Sequence, residues 1–456
     1  MAELYWIETL GCPKNQVDSD KLVGTMVADG MAPATRLEDA DLVVVNTCAF
    51  IEQARQESID TILELEQARR PDAELVVTGC LAERHGDELA EALPEIDRVA
   101  PFGVPVSLGS TRSGSASRRS RFDLLELPRP VSAVPWAYVK IAEGCDRNCG
   151  FCAIPSFRGK QRSRSIESIL DEVDRLEVQE VVLVAQDLAA YGRDQGRGSR
   201  RIVPLIEQVA QRVSWVRLLY LYPSDLNDEL IDTVCRSGVP YFDLSLQHVS
   251  RPLLRAMRRW GSGEQFIDRI EDIRGREPAA TFRSNFIVGY PGETEQDHDR
   301  LLSFVEEARL DWCGFFAYSE EEGTYGAGLD GKVPATLRDE RLAELRALQD
   351  RITAEKRDAM IGRRLPVLVD RPGIARSPAE APEIDGIITV PDVLPVGRFA
   401  TVEVVGAEGP DLVAVAANEW PIAAGLPEAV PQVPVGRSDT SGEPPLAPPE
   451  PTVAPV

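Results

Sequence analysis

The sequence predicts an α/β protein built from three successive units and a proline-rich tail. Short apolar runs alternate with helical patterns up to about residue 360, and only strand patterns with turn residues follow, up to about residue 426. At roughly 150 residues per domain, 456 residues leave room for three. Hydrophobic residues make up 43% and charged residues 27%, enough apolar material for several cores.

Residues 1–115 form the first unit. Leu4–Leu10, Leu42–Val45 and Leu75–Thr78 read as strands, with helical stretches such as Ser19–Asp29 and Ile51–Arg69 between them. This is the pattern of a parallel sheet covered by helices on both faces. The Ser-rich, basic segment Thr111–Arg121 reads as an exposed linker, and the proline-containing Leu124–Val134 bridges to the next unit.

Residues 131–360 form the second unit. Its six strand candidates are Trp136–Ala142, Val181–Ala185, Val216–Leu221, Tyr241–Leu246, Phe282–Val288 and Trp312–Ala317. Helical segments such as Ser165–Glu177, Leu226–Ser237 and Glu295–Arg309 separate them. Six βα units predict a partial barrel rather than a full eight-stranded one. Thr336–Ile361 closes the unit as a long charged helix with Leu342, Leu345, Leu348 and Ile352 at helical spacing. Residues 361–426 form a small all-β module with strands at Leu365–Asp370, Gly386–Val390, Phe399–Val405 and Leu412–Ala416. Residues 427–456 hold nine prolines and are expected to be disordered.

Lys plus Arg total 50 against 74 Asp plus Glu, a net charge of −24. That argues against a chain held on nucleic acid or an anionic membrane by bulk charge. It favours a basic partner or a local basic site. The apolar runs fall short of the ~18–20 residues that span a bilayer, and no basic segment precedes an apolar stretch at the start, as a secretory signal would need. Eight cysteines are too few for a disulfide scaffold of this length. The expected location is the cytoplasm.

The cysteines carry the strongest signal. Cys145-Asp-Arg-Asn-Cys149-Gly-Phe-Cys152 follows the first strand of the second unit. Three thiolates on one loop reach three corners of a 4Fe–4S cubane, which normally takes four cysteines. The fourth iron is then open to a ligand. A structural zinc site is the competing reading, but it needs four ligands and no fourth is nearby. Cys12, Cys48 and Cys80 recur just past the carboxyl ends of the three strands of the first unit, beside Gly11, Thr47 and Gly79. Taken singly, each reads as a core cysteine. Their recurrence at one edge of a parallel sheet predicts a second three-cysteine cluster. Cys235 lies in a helix pattern and Cys313 in a strand, and both are assigned to the core.

The loop Cys145–Cys152 resembles the signature of radical S-adenosylmethionine (radical SAM) enzymes. The flanking strings Tyr138-Val-Lys-Ile-Ala-Glu-Gly-Cys145 and Ile154-Pro-Ser-Phe-Arg-Gly-Lys-Gln-Arg-Ser-Arg-Ser165, the second trio and the β-module, which resembles a TRAM domain, look like the methylthiotransferases of that superfamily. The resemblance spans residues 3 to 425. It implies a flavodoxin-like first domain, a partial (β/α)6 barrel, two 4Fe–4S clusters and S-adenosylmethionine. It further implies that one S-adenosylmethionine is the radical source and another the methyl donor. An electron donor and a sulfur source follow as partners, and a monomer is expected.

Two branches of that family differ in acceptor. One modifies an adenosine of tRNA. The other, the RimO branch, modifies the β-carbon of an aspartate in small-subunit ribosomal protein twelve. Gly11-Cys-Pro-Lys-Asn15, Val184-Ala-Gln-Asp187, Glu320-Glu-Glu-Gly-Thr324 and Ala381-Pro-Glu-Ile-Asp-Gly386 resemble the RimO branch. The tRNA branch tends to carry a Gln-Met pair where this chain has Pro13-Lys14. Charge agrees: residues 361–424 hold five Lys/Arg against nine Asp/Glu, a net of −4. An RNA-gripping module should be basic, and an acidic one suits a basic protein. Nucleic acid remains the substrate only in the tRNA alternative.

Other candidates sit at the carboxyl ends of barrel strands, where such sites are built. They are Gln186 and Asp187 after the second strand, Ser245 and Gln247 with His248 after the fourth, and Arg283, Asn285 and Gly289 on and after the fifth, which leads into Tyr290-Pro-Gly-Glu-Thr294. Binding of the cofactor is their expected role, with Gly289 permitting close approach of adenine. A turn-forming or supporting role is the competing reading for each. His248 and His85 are lone histidines and read as structural. Arg158, Lys160, Arg162 and Arg164 form a basic run that would either grip an acidic group or lie on a solvated face.

Overall fold

The computed structural model of the protein describes residues 2–108, 122–196 and 200–417. The predicted linker at residues 111–121 and the tail at 427–456 lie outside the described residues.

The first unit is a five-stranded parallel sheet of β1 (Leu4–Thr9), β2 (Ala32–Pro33), β3 (Leu42–Thr47), β4 (Glu74–Gly79) and β5 (Arg98–Ala100), in the order β2-β1-β3-β4-β5. Every residue of β3 is buried, as a central parallel strand covered on both faces requires. The strands β2 and β5 are two and three residues long, too short to leave a periodic pattern in the sequence. Helix α1 (Pro13–Ala28) starts well before the predicted Ser19, because Pro13 occupies its first turn, where a missing N–H costs nothing. Helices α2 (Glu52–Ala68) and α3 (Cys80–Ala92) follow β3 and β4.

The second unit is a half-barrel. Its strands β6 (Trp136–Lys140), β9 (Glu180–Val184) and β10 (Trp215–Leu218) form one parallel set, and β11 (Tyr241–Gln247), β12 (Thr281–Val288) and β13 (Trp312–Ala317) form another. Between β6 and β9, the antiparallel pair β7 (Ala142–Glu143) and β8 (Arg162–Ser163) frames the cysteine loop. The two sets meet at a single parallel bridge, Leu221 to Leu244. The predicted third strand, Val216–Leu221, is therefore interrupted. Tyr220 adopts a left-handed φ of +67°, and its N–H donates to the Asp243 carboxylate at 2.9 Å instead of to the ladder. A large apolar core, from Val139 and Leu183 to Phe286 and Phe315, fills the space between the strands and the outer helices. Among those helices, Ile166–Leu176 is capped by Ser165, and Glu295–Ala308 begins in a reciprocal capping box of Thr294 and Asp297. Cys235 and Cys313 are half-buried and pack against this core, as predicted.

The third unit is a closed barrel of β14 (Arg364–Arg371), β15 (Ile374–Arg376), β16 (Ile388–Thr389), β17 (Phe399–Glu408) and β18 (Asp411–Ala416), ordered β14-β15-β16-β18-β17. Alternate residues Val402, Val404, Leu412 and Ala414 point inward. A buried charge network seats this barrel on the half-barrel. The Glu180 carboxylate accepts from Arg217 at 2.7 Å and from Arg376 at 2.8 Å, and Arg376 also pairs with Asp370. Tyr138 donates to the Pro382 carbonyl and Trp312 to the Ala379 carbonyl, both at 2.7 Å. Removing one member of a buried ion network leaves uncompensated charge. Glu180→Ala should therefore destabilise the protein by about 3–5 kcal/mol, read as a lower urea midpoint and faster proteolytic release of the C-terminal barrel.

Candidate active site

Both cysteine trios line one cavity of about 310 Å³ between the first unit and the half-barrel. Cys12 caps the start of α1, Cys48 follows β3 directly, and Cys80 opens α3. The parallel register brings these strand ends to one sheet edge. Glycine makes the approach possible. Gly11 has a φ of +91°, and a Cβ there would lie 2.8 Å from Cys48 Cβ and 2.9 Å from its Sγ. Gly79, at φ +90°, would place a Cβ 2.4 Å from Asn46 Oδ1.

Across the cavity, the loop of Cys145, Cys149 and Cys152 is pinned at both ends. Cys145 N–H donates to the Gly159 carbonyl at 3.0 Å, and Gly150 N–H donates to the Met257 carbonyl at 2.8 Å. None of the eight cysteines is in a disulfide. Burial pushes the Cys145 thiol up to about 11 and those of Cys152 and Cys48 up to about 12. Burial opposes ionisation of Cys12 too, but nearby Lys14 and Arg158, with the backbone N–H groups of Asn15 and Lys14, bring its pKa below the usual thiol value. Thiols held protonated by burial ionise when a cation binds them.

Charged side chains tie the two walls together. Arg158, from the short helix α4 (Ile154–Arg158), reaches Cys80 Sγ at 2.9 Å, Asn15 Oδ1 at 2.8 Å and Asp18 at 3.3 Å in the first unit. It also donates to Glu143 at 3.0 Å. Burial alone would raise the Glu143 pKa, but Arg158 and Lys140 hold it well below the carboxylate range. Gln186 donates to the same carboxylate at 2.6 Å. On the half-barrel side, Arg147 pairs with Asp187 at 2.5 Å and with Asp225, and its guanidinium stacks 3.7 Å from the Tyr222 ring. Arg259 donates to the Ser245 carbonyl and contacts Cys149 Sγ at 3.4 Å.

The wall suits the groups the cysteines call for. Among the described residues, no three His, Cys, Asp or Glu side chains converge as ligands of a single ion would. Ligands on separate corners of a cubane need not converge that closely. Four oxygen atoms of the lining, Gln186 Oε1, Asp187 Oδ1, Asn285 Oδ1 and the Tyr318 hydroxyl, are buried without a hydrogen-bond partner, as is one nitrogen, Arg259 Nε. Buried polar atoms are normally satisfied, so the four oxygens are places for the donors of a bound polar molecule.

Of the candidates singled out in the sequence, Gln186, Asp187, Ser245, Gln247 and Asn285 reach the cavity wall. Arg283 and Gly289 are not among its lining residues. Arg283 turns into the seam below, facing Asp243 at 3.4 Å and Asp385 at 3.5 Å. Gly289, at φ +83°, is filled from behind: a Cβ there would strike the Arg338 side chain at 2.7 Å, and its N–H donates to Glu293. The basic run divides by what each side chain meets, since only Arg162–Ser163 is strand and Arg158 ends a helix. Arg158 and Arg164 are buried in ion pairs, whereas Lys160 and Arg162 are exposed. Arg147, Tyr220, Tyr222 and Arg259 line the cavity but carry no sequence signal of a site beyond their closeness to a cysteine or to a strand end, and Lys14, which lines it too, stood out only in the branch comparison.

His248 is fully buried behind the wall, where its Nδ1 accepts from Ser250 N–H at 3.0 Å. His85 meets Glu88 on the surface side at 3.0 Å. Neither lines the cavity.

Three family models match the chain in order. They are described as an uncharacterized protein family, UPF0004, over residues 4–101, the Radical SAM superfamily over 139–305, and a TRAM domain over 361–416. Fold and site thus define a radical SAM enzyme of the methylthiotransferase class. Among curated proteins, the chain is 41% identical over 411 residues to the ribosomal protein uS12 methylthiotransferase RimO of Moorella thermoacetica, covering 87% of this chain and 95% of that protein. It is 41% identical over 433 residues to RimO of Myxococcus xanthus, covering 90% of each. The chain belongs to the RimO family. Among solved structures, the radical S-adenosylmethionine methyltransferase TsrM from Kitasatospora setae matches with a TM-score of 0.48 and 15% identity, over 82% of this chain and 77% of that one. Among the described residues, no helix is long and apolar enough to cross a membrane.

The buried imidazole has a measurable consequence. Burial lowers the His248 pKa from 6.5 to about 3, so the folded protein keeps it neutral. Its contribution to stability is intact above pH 6.5 and is lost as pH falls toward 3, because the unfolded chain takes up the proton first. Replacing it with Gln removes this proton linkage. His248→Gln should flatten the fall in urea midpoint between pH 6.5 and 4.5 relative to the parent.

Proposed function

We propose that this enzyme methylthiolates the β-carbon of an aspartate in small-subunit ribosomal protein twelve. In this reading Cys145, Cys149 and Cys152 hold one 4Fe–4S cluster and Cys12, Cys48 and Cys80 hold another. The observation that carries it is the shared cavity: two thiol trios from two units face one space. When bound, the central cluster with S-adenosylmethionine supplies a carbon radical able to abstract an unactivated hydrogen, and the second cluster with a second S-adenosylmethionine supplies the methylated sulfur.

The chain's own residues shape that chemistry. Phe50, Ile51, Phe151, Ile154 and Phe157 make much of the wall apolar, which keeps water from a reactive carbon centre. Gln186, Asp187 and Asn285 present unpaired acceptors for the ammonium and hydroxyls of S-adenosylmethionine. Arg158 steadies Cys80, and Arg259 steadies Cys149.

A ribosomal protein as acceptor is supported by the names of the relatives and by charge. In the C-terminal barrel Arg376 is buried in ion pairs, as are the carboxylates of Glu380 and Asp385, and the surface that remains is mildly acidic. Such a surface repels RNA phosphates and attracts a basic protein.

In a strain lacking the gene, ribosomal protein twelve should lose a methylthio group by mass spectrometry. Loss of methylthio-adenosine from tRNA instead, with the protein unchanged, would refute the reading. The two trios should also separate in the reconstituted, reduced enzyme. Cys145→Ala should release no 5′-deoxyadenosine. Cys12→Ala should still release it, with no methylthiolated product in a chromatographic assay.

A further inference from the structure

Four cations line the cavity: two are paired with carboxylates, and a third, Arg259, has N–H groups directed to a carbonyl and a thiol. Arg147 is paired with Asp187 and Asp225, and Arg158 with Asp18 and Glu143. Arg259 lies between the Ser245 carbonyl, Cys149 Sγ and the Tyr222 ring. Lys14 differs. It is only 8% exposed, and no carboxylate among the described residues pairs with it. Its Nζ lies 3.6 Å from the centroid of the Tyr220 ring.

The structure spends two unusual features on that arrangement. Pro13 starts α1 one residue after Cys12, which fixes Lys14 in the first turn beside the thiol trio. Tyr220 takes a left-handed φ, uncommon for an aromatic residue, and its ring lies under the ammonium. A π face holds a cation without using its N–H donors, and the Tyr220 hydroxyl takes one of the three. A buried ammonium is costly unless its charge is matched; the Cys12 thiol and the Tyr220 hydroxyl are its neighbours, no carboxylate is, and it lies on the wall of the substrate space.

We infer that Lys14 is a specificity-determining residue that receives the carboxylate of the acceptor aspartate. This rests on the proposed function. A β-carbon brought between the two trios carries its carboxylate into the cavity with it, and that charge also needs a partner once it leaves water. Among the described residues, the other acidic side chains on the wall are Glu57 and Asp187, and Asp187 is already paired. Lys14 and the substrate carboxylate each satisfy what the other lacks, at the Cys12 end of the cavity, where the sulfur would be delivered. The neutral amide of asparagine, of the same shape, would forgo the charge.

The test is binding, measured by fluorescence anisotropy on the cluster-loaded enzyme. The probes are two synthetic peptides spanning the modified site of the cell's own ribosomal protein twelve, one with the native Asp and one with Asn in its place. The parent enzyme should prefer Asp by about 10- to 100-fold, the range of a hydrogen bond to a charged group. Lys14→Met, similar in length and uncharged, should abolish the preference while iron and sulfide content stay at the parent level. A preference that survives in Lys14→Met overturns the inference, and so does a parent that binds both peptides equally. If Lys14→Met fails to load its clusters, Lys14→Gln is measured in its place, and a preference retained there overturns the inference equally. A parent enzyme that binds neither peptide refutes the ribosomal acceptor itself, which separates that failure from failure of the role of Lys14.

Discussion

The arrangement of the site depends on one buried guanidinium. Arg158 leaves the half-barrel just after the cysteine loop and ends between Asn15, Asp18 and Cys80 of the first unit. Lys140 and Glu143 of the half-barrel complete the cluster: Lys140 bonds Asp18, and its contact with Glu143 is 2.6 Å. Two cations and two carboxylates balance there, which is the condition under which buried charge is tolerated. Because the ligands come from both units, the network sets the distance between the two trios as well as the stability of the seam. A hydrophobic contact of similar area would hold the units together without specifying that distance.

The same seam explains how a chain with a net charge of −24 can present a cationic site. Four basic side chains and two acidic ones line the cavity, the reverse of the surface balance. On the proposed reading, thiolates, an amino-acid carboxylate and a substrate aspartate are all anionic, and a cationic wall inside an acidic shell fits each of them. The shell would then act on the partner as a whole and the wall on single groups. Bulk charge and site charge work here on different objects and need not agree in sign.

Much of this was legible in the sequence, and the part that was not has a common cause. Cys12, Cys48 and Cys80 could be placed together because each follows a strand of one parallel sheet, so chain position maps directly onto a shared edge. Gln186, Asp187, Ser245, Gln247 and Asn285 reach the wall for the same reason. Arg283 failed that rule because its side chain meets Asp243 and Asp385 in the seam with the C-terminal barrel, a contact between residues far apart in the chain. The break at Tyr220 was invisible because the run Val216–Leu221 is apolar and strand-like, and only the Asp243 carboxylate taking the Tyr220 N–H interrupts it. Arg158 could not be told from Lys160 and Arg162 by charge alone. Its burial comes from Asp18, one hundred and forty residues earlier.

The split of six thiols between two units also bears on why the enzyme is built from separate folds. On the proposed reading, one cluster must make a radical and the other must hold sulfur, and a direct reaction between them would waste both. A single loop carrying six cysteines would place the clusters side by side. Mounting one trio on a sheet edge and the other on a barrel loop instead puts substrate space between them, with a partly apolar wall. The cost is an interface that must be rigid, and the buried, balanced ion network around Arg158 gives it a fixed geometry. Separation of the reactive groups and rigidity of the seam are therefore one constraint. It explains why a buried, balanced charge cluster lies beside the cavity rather than in either core.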